Sequence, residues 1–325
     1  MEFVINKADL VRELQVVTGV VEKRATLPIL SNLLLEARDG GLHIGASDLE
    51  VTIRGTSDAT IVESGSVTLP ASKLHEISRS LPDADVKFKL LDRNQMQITC
   101  QRTKYKIGGQ PRDEFPNFPE MDTKDGISVP AGVLKSMIER VAFAITTDDP
   151  RYSLNGALVK VDGGKITMVA TDGHRLAHAT QELKGSDGKE LTLIVPRKAL
   201  NEVSKMTADM PDDAEVVFGT HENHVFFVVG EHRLTSNVLE GKFPRYENVM
   251  PESCEVGIGL PTQELTDAVR RVSLLAADRL GRAVRLSLGK GKLELFSQTE
   301  MGEAQESLPV DYDGQEMEIG FNARY

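Results

Sequence analysis

The stretch PRYSLNGALVKVDGGKITMVATDGH, residues 150–174, has an earlier counterpart in LPILSNLLLEARDGGLHIGASDLEV, residues 27–51. Leu30-Ser31-Asn32 falls on Leu154-Asn155-Gly156, and Ala46-Ser47-Asp48 falls on Ala170-Thr171-Asp172, with one displacement of 124 (154 against 30, 170 against 46). In each copy an alternating apolar run meets Asp-Gly-Gly and then a second alternating run, which is the pattern of a β-hairpin. A constant displacement in a constant order is the mark of an internal repeat.

The match extends outward. VTLPASKL (67–74) parallels LIVPRKAL (193–200), and FPNFPEM (115–121) parallels FPRYENVMP (243–251). Each unit opens with a short strand and an amphipathic helix: KADLVRELQVVTGVV, PAGVLKSMIERVAFAI and PTQELTDAVRRVSLLAA, with apolar residues at i, i+3, i+4 and i+7. The third opener is followed by AVRLSLGKGKLELFSQ, again strand, turn, strand. The expectation is three units, residues 1–123, 124–251 and 252–325. Each reads as strand, helix, three or four strands, helix and further strands. That is an α+β chain of repeated antiparallel sheets with two helices on one face. Tyr325 falls on Leu200 and Leu74 of the earlier units, so a complete third unit is expected to run roughly 50 residues further.

The chain has 325 residues, 40% of them hydrophobic, no tryptophan and a net charge of −11. No apolar run approaches the roughly 20 residues that span a bilayer, and the first residues lack the pattern of a secretory signal. Cys100 and Cys254 form no CxxC pair, which points to a reduced, cytoplasmic setting. Net acidity argues against a nucleic-acid binder on average, but the charges are segregated. Lys7, Arg12, Lys73, His75, Arg79, Lys135, Arg140, Arg197, Lys198, Lys205, Arg270 and Arg271 fall on helices. Acidic residues gather in turns and strand ends such as LPDADVK, MPDDAEV and QTEMGEAQE. Single cations without interleaved aromatics suit sequence-independent phosphate contact.

Few catalytic motifs are present: no GxGxxG after a strand, no GxxxxGK[ST], no HExxH and no GxSxG. Asp172, His174 and His178 invite a metal or acid–base reading, but a catalytic zinc site usually has three protein ligands. The aligned segment of the first unit, ASDLEVTIRG, keeps Asp48 and has no histidine. Asp172 therefore reads as turn chemistry, and Gly173-His174-Arg175-Leu176 is what distinguishes the second copy. No metal, cofactor or catalytic residue is assigned.

TLPILSNLLLEA, RYSLNGALV, VATDGHRLA, VPRKAL, GKFPRYENVMP and EMEIGFN, in that order from end to end, resemble the bacterial sliding clamp, the β subunit of DNA polymerase III. The resemblance implies three similar domains per chain and two chains joined head to tail as a homodimeric ring. Basic helices would line the hole, duplex DNA would pass through it, and a clamp loader would open it. It implies a processivity factor without catalytic activity. Its partners would be the replicative polymerase catalytic subunit, the loader, and other polymerases and repair proteins, with no membrane contact. DNA contacts carry over to Arg24, Lys73, Asp148, Tyr152 and Ser153; much-studied members have an uncharged polar residue at the position of Asp148 and a tyrosine at that of Ser153. A pocket for partner peptides carries over to Leu154, Thr171, Gly173, His174, Arg175, Leu176, Pro244, Asn248 and Val249, completed in the family by the extreme C-terminus. The ring interface would pair Leu274 and Leu275 with Tyr105 and Ile107, with EMGEAQE near Arg102 and Lys104. Loss of part of the third unit's core is expected to weaken dimerisation.

Overall fold

The computed structural model describes residues 1–22, 27–38, 40–119, 123, 125–147, 149–183, 188–254, 256–276 and 283–325. It contains two compact units, residues 1–244 and 245–325.

The first repeat runs β1 (Glu2–Asn6), α1 (Lys7–Val17), β2 (Asn32–Arg38), β3 (Gly41–Ser47), β4 (Val51–Asp58), β5 (Thr60–Glu63), β6 (Gly65–Pro70), α2 (Ala71–Ser80), β7 (Asp85–Leu90), β8 (Gln95–Cys100) and β9 (Thr103–Gly108). The second runs β10 (Ile127–Pro130), α3 (Ala131–Val141), β11 (Gly156–Asp162), β12 (Lys165–Thr171), β13 (Leu176–Glu182), β14 (Leu191–Pro196), α4 (Arg197–Met206), β15 (Glu215–His221), β16 (His224–Val229) and β17 (His232–Asn237). The third contributes α5 (Thr262–Ser273), β18 (Ala283–Gly289), β19 (Lys292–Thr299), β20 (Gly302–Pro309) and β21 (Met317–Asn322). Strand β11 begins 124 residues after β2, and β12 the same distance after β3 (156 against 32, 165 against 41).

Helix entry follows a local rule. Pro70, Pro130, Pro196 and Pro261 each sit immediately before a helix. Proline has no N–H for the strand ladder, so Pro70, Pro130 and Pro196 each end a strand, and the helix begins beyond them. Helix α1 starts differently: the Asn6 side chain accepts the Ala8 N–H at 2.9 Å.

Among the described residues the strands form four antiparallel sheets, ordered β5-β1-β7-β8-β9, β10-β15-β16-β17-β4-β3-β2-β6, β13-β12-β11-β14 and β20-β19-β18-β21. The eight-stranded sheet joins two repeats, because β17 pairs with β4 from His232↔Gly55 to Ser236↔Val51. One continuous core follows, reaching from Phe3 and Phe88, stacked at 4.7 Å, to Phe218 and Phe227, stacked at 5.8 Å. The third repeat has its own smaller core around Val272, Val284 and Leu295.

Two details differ from the sequence expectation. Between its helices the first repeat has five strands, because the chain breaks after Asp58 and β5 crosses to pair with β1. Among the described residues, the third repeat shows no opening strand before α5. Strands β1 and β10 are each held by the strand after the second helix of their repeat, and no such partner occurs among the described residues of the third.

The side chain of Glu2 lies between Lys87 (2.5 Å) and Lys89 (2.8 Å) on the neighbouring strand. Hydrogen bonds from Lys87 and then Lys89 bring its carboxyl from the ordinary 4.5 down to about 2. A depressed carboxyl stabilises the fold fully above its unfolded value and loses that contribution as pH falls through the folded value. Between about pH 4.5 and 2 the wild type should therefore lose stability that Glu2→Gln lacks from the start. Urea midpoints at pH 5 and pH 3 would show converging curves; parallel curves would refute it.

Candidate functional site

The turn after β12 is built from its own sequence. Oδ1 of Asp172 accepts the backbone N–H of His174 and of Arg175, each at 2.9 Å. The turn after β3 repeats this: Oδ1 of Asp48 accepts from Glu50 at 2.9 Å and Val51 at 2.6 Å. A hydroxyl supports each turn, Thr171 accepting from the Gly173 N–H and Ser47 from the Leu49 N–H, both at 3.1 Å. Both aspartates are thus committed to the backbone. Among the described residues, no group of three or more His, Cys, Asp or Glu side chains could hold a metal ion.

The copies differ at the left-handed position. Gly173 has φ +85° and Leu49 has φ +79°. Leucine resists that region, whereas glycine does not. Leu49→Gly is expected to stabilise the protein by about 0.5–1 kcal/mol, the relieved strain exceeding the entropy added to the unfolded chain. A higher melting temperature checks it; a lower one refutes it.

Around the second turn the side chains are held from several directions. The Nε of Arg175 donates to Oδ2 of Asp172 at 3.0 Å and Nη2 to the carbonyl of Phe143 at 2.6 Å. The guanidinium of Arg175 also lies over the Phe143 ring at 5.2 Å. Burial of Asp172 disfavours its charge, but the two backbone N–H groups and the Arg175 guanidinium outweigh that and hold its carboxyl below the usual range. Arg151 approaches from the other side: a side-chain carbon added to Gly173 would lie 3.4 Å from its guanidinium. Asp149 fixes Arg151 through two hydrogen bonds of 2.9 Å, and the Arg151 side chain and backbone N–H bring the Asp149 carboxyl down to about 2.

The structure therefore gathers Thr171, Gly173, His174, Arg175 and Leu176 on one hairpin end. Leu154 is 1% exposed, buried rather than open to a ligand at the surface. Phe143 and Arg151 belong to this arrangement and were not anticipated; the Asp149-Pro150-Arg151 spacing was the available signal for the latter. Pro244 closes the first compact unit, while Asn248 and Val249 lie exposed in a helical turn of the second. Of the anticipated DNA contacts, Tyr152 is 74% exposed and Ser153 follows it in a short helical turn. Lys73 is held by Glu76 at 2.6 Å with both side chains exposed, a pair weak enough for phosphate to break. Arg24 and Asp148 lie outside the described residues.

Several helix cations are less free than their sequence positions suggest. Lys198 bridges Asp48 and Glu22 between the first two repeats, and Lys205 is bound to Glu202 at 2.7 Å. Arg12 and Arg271 pair with Asp9 at 2.7 Å and Glu306 at 2.6 Å. Burial and then the neighbouring Arg79 depress the titration of His75, which favours its neutral form. Arg79 and Arg140 are exposed and have no carboxylate partner among the described residues. Leu274 is 82% exposed at the end of α5, while Tyr105 and Ile107 are half-buried on β9, an edge strand. Among the described residues, no helix is long and apolar enough to cross a membrane.

Three domain profiles of one family match in sequence order: the DNA polymerase III beta subunit N-terminal domain over residues 1–119, its central domain over 128–245 and its C-terminal domain over 247–325. The chain belongs to the DNA polymerase III beta subunit family. The beta sliding clamp of Pseudomonas aeruginosa is 36% identical over 330 residues, and that of Escherichia coli K12 33% identical over 329; each match covers 100% of this chain and 88% of the relative. The Bacillus subtilis sliding clamp superposes with a TM-score of 0.93 at 29% identity, and Caulobacter crescentus pol III beta with 0.89 at 37%, again over 100% of this chain and 88% of theirs. The family's role is that of a sliding clamp, a processivity factor in DNA replication rather than a catalyst, working with DNA and a DNA polymerase.

Proposed function

We propose that two copies of this chain close into a ring that encircles duplex DNA, and that its outer surface holds partner proteins by short peptides. The observation that carries this reading is the tandem repeat, three copies of one α+β unit matched in order by three clamp domains. The ring would close between Leu274 and Leu275 of one copy and Tyr105 and Ile107 on the β9 edge of the other. Edge strands leave unpaired backbone groups for such a partner. The helices would face DNA, with Arg24, Lys73, Tyr152 and Ser153 against phosphates and Asp148 at the same loop. Because several helix cations are already neutralised locally, contact would be weak and sequence-independent, as sliding requires. The hairpin end of Thr171, Gly173, His174, Arg175 and Leu176, with Leu154, Pro244, Asn248 and Val249, would take the peptides of the polymerase catalytic subunit, the loader and repair proteins. The setting is the cytoplasm.

Loading by a clamp loader and ATP on a nicked circular plasmid tests the reading. The chain should co-elute with the circle and be lost when the plasmid is linearised. Equal retention on linear and circular DNA would reject encirclement. No retention on either, from a chain that still captures the polymerase, would leave only a peptide-binding scaffold.

A further inference from the structure

A cavity of about 890 Å³ lies where the first two repeats meet, between α1, α4, the end of β4 and the β16–β17 turn. All of its lining belongs to the 1–244 unit. Its size falls within the roughly 300–1,000 Å³ of small-molecule sites. Six carboxylates line it (Asp9, Glu13, Asp58, Glu202, Asp209 and Glu231) against two permanent cations, Arg12 and Lys205. Both cations already hold a carboxylate, Arg12 that of Asp9 and Lys205 that of Glu202. Asp58, Asp209 and Glu231 are exposed and have no cationic partner among the described residues. The side chains of Glu13 and Glu202, by contrast, are only 4% and 6% exposed. Each has one oxygen bonded, Oε2 of Glu13 by His232 at 2.8 Å and Oε1 of Glu202 by Lys205 at 2.7 Å. The other oxygen of each accepts no hydrogen bond from the described residues, and Arg12 stays 3.9 Å from that of Glu13. Buried carboxylate oxygens without donors are costly, so the cavity is short of donors and of positive charge.

We infer that this cavity binds an aliphatic polyamine of the spermidine type. The occupant follows from how the charge is spread. Among the described residues no three of these acids come together as metal ligands, so one compact cation would meet too few of them. A chain bearing several ammonium groups can reach the exposed acids and the buried pair at once. Its methylene segments would lie on Val16, Met206 and Met210, half-buried in the same wall. Methionine is flexible and polarisable, which suits a chain without fixed shape. A cleft lined by one sign of charge also concentrates ions of the other sign. Because α1 belongs to the first repeat and α4 to the second, the bound chain would tie the repeats together and stabilise the folded unit by mass action. The site lies within one chain, so ring closure is not needed for it.

Isothermal titration calorimetry of the whole chain with spermidine, at physiological ionic strength, tests it. The triple variant Asp58→Asn, Asp209→Asn, Glu231→Gln removes exposed acids that hold no ion pair, so its circular dichroism should match wild type. It should bind spermidine roughly tenfold more weakly or worse. A control triple with the same charge change on the third repeat, Asp311→Asn, Asp313→Asn, Glu316→Gln, should bind as wild type does. Spermidine should raise the melting temperature of wild type and control to a plateau, and that of the cavity triple much less. Equal affinity losses in the two triples, or displacement of spermidine by magnesium charge for charge, would mean general attraction to an acidic protein and would overturn the inference. So would a wild type that takes up no spermidine.

Discussion

Replacing His232 with alanine should lower the stability of the 1–244 unit by about 3 kcal/mol, and Glu13→Ala by about 2 kcal/mol. The Nε2 of His232, on β17 of the second repeat, lies 2.8 Å from Oε2 of Glu13, on α1 of the first. The Glu13 side chain is 4% exposed and that of His232 16%. Arg12 is 3.9 Å from the other carboxylate oxygen, too far for a strong replacement bond. Losing the histidine leaves a carboxylate buried without its main partner, so that substitution is the more costly. The room is made by Gly55, opposite His232 in the sheet, where a side-chain carbon would lie 2.7 Å from Glu13 Oε2. Domain stabilities of about 5–15 kcal/mol make 3 kcal/mol a large share. Because the continuous sheet and core cross the junction, probes in both repeats should lose stability together. Urea unfolding would decide: the double variant should be less destabilised than the sum of the singles. Strict additivity, or a loss confined to one repeat, would refute a shared junction.

That junction shows where sequence reading stops. The hairpins β2–β3 and β11–β12 were legible because their apolar residues alternate and their turns carry Asp-Gly-Gly, all local information. The aspartates of the following turns were legible for the same reason, since an Asp side chain satisfies N–H groups two and three residues on. Pairing of β17 with β4 was not, because two edges so distant in sequence find each other through shape and core, which no local period encodes. Strand β5 was hidden likewise, since ATIVE reads as a continuation of β4 until β1 captures it. Lys198 reads as a solvated helix cation, yet it reaches Asp48 and Glu22 across the same junction. At the candidate site, Gly173 to Leu176 stood out by contrast with the first repeat, and their role came from family resemblance. Phe143 was missed because an aromatic after a helix reads as core, whereas it is 51% exposed beneath Arg175.

Asp172→Ala should weaken partner binding at least tenfold while lowering stability by only about 1–2 kcal/mol, and Asp48→Ala should do the opposite. The two residues make the same pair of backbone bonds, so the local turn is damaged alike in both variants. What differs is the third interaction. The second oxygen of Asp172 holds Arg175, whose remaining contacts are to Phe143 on the candidate peptide surface and other nearby groups. The second oxygen of Asp48 holds Lys198, which ties the first repeat to the second. Without Asp172 the guanidinium loses a charge-assisted bond that fixes its plane, and His174 and Arg175 lose their common backbone anchor. The surface remains folded but is no longer pre-organised, so ordering it falls on the binding step. Without Asp48, Lys198 keeps only Glu22, whose side chain is 55% exposed, and the junction between repeats loosens. Asp172→Asn separates charge from geometry: it can still accept the backbone bonds but holds Arg175 more weakly, so its affinity should fall between wild type and alanine. Affinity for a clamp-binding peptide of the cognate polymerase makes the measurement concrete. Equal affinity losses in the Asp48 and Asp172 variants would mean that the turn acts only through global stability, and the assignment of this hairpin end to partner binding would fall.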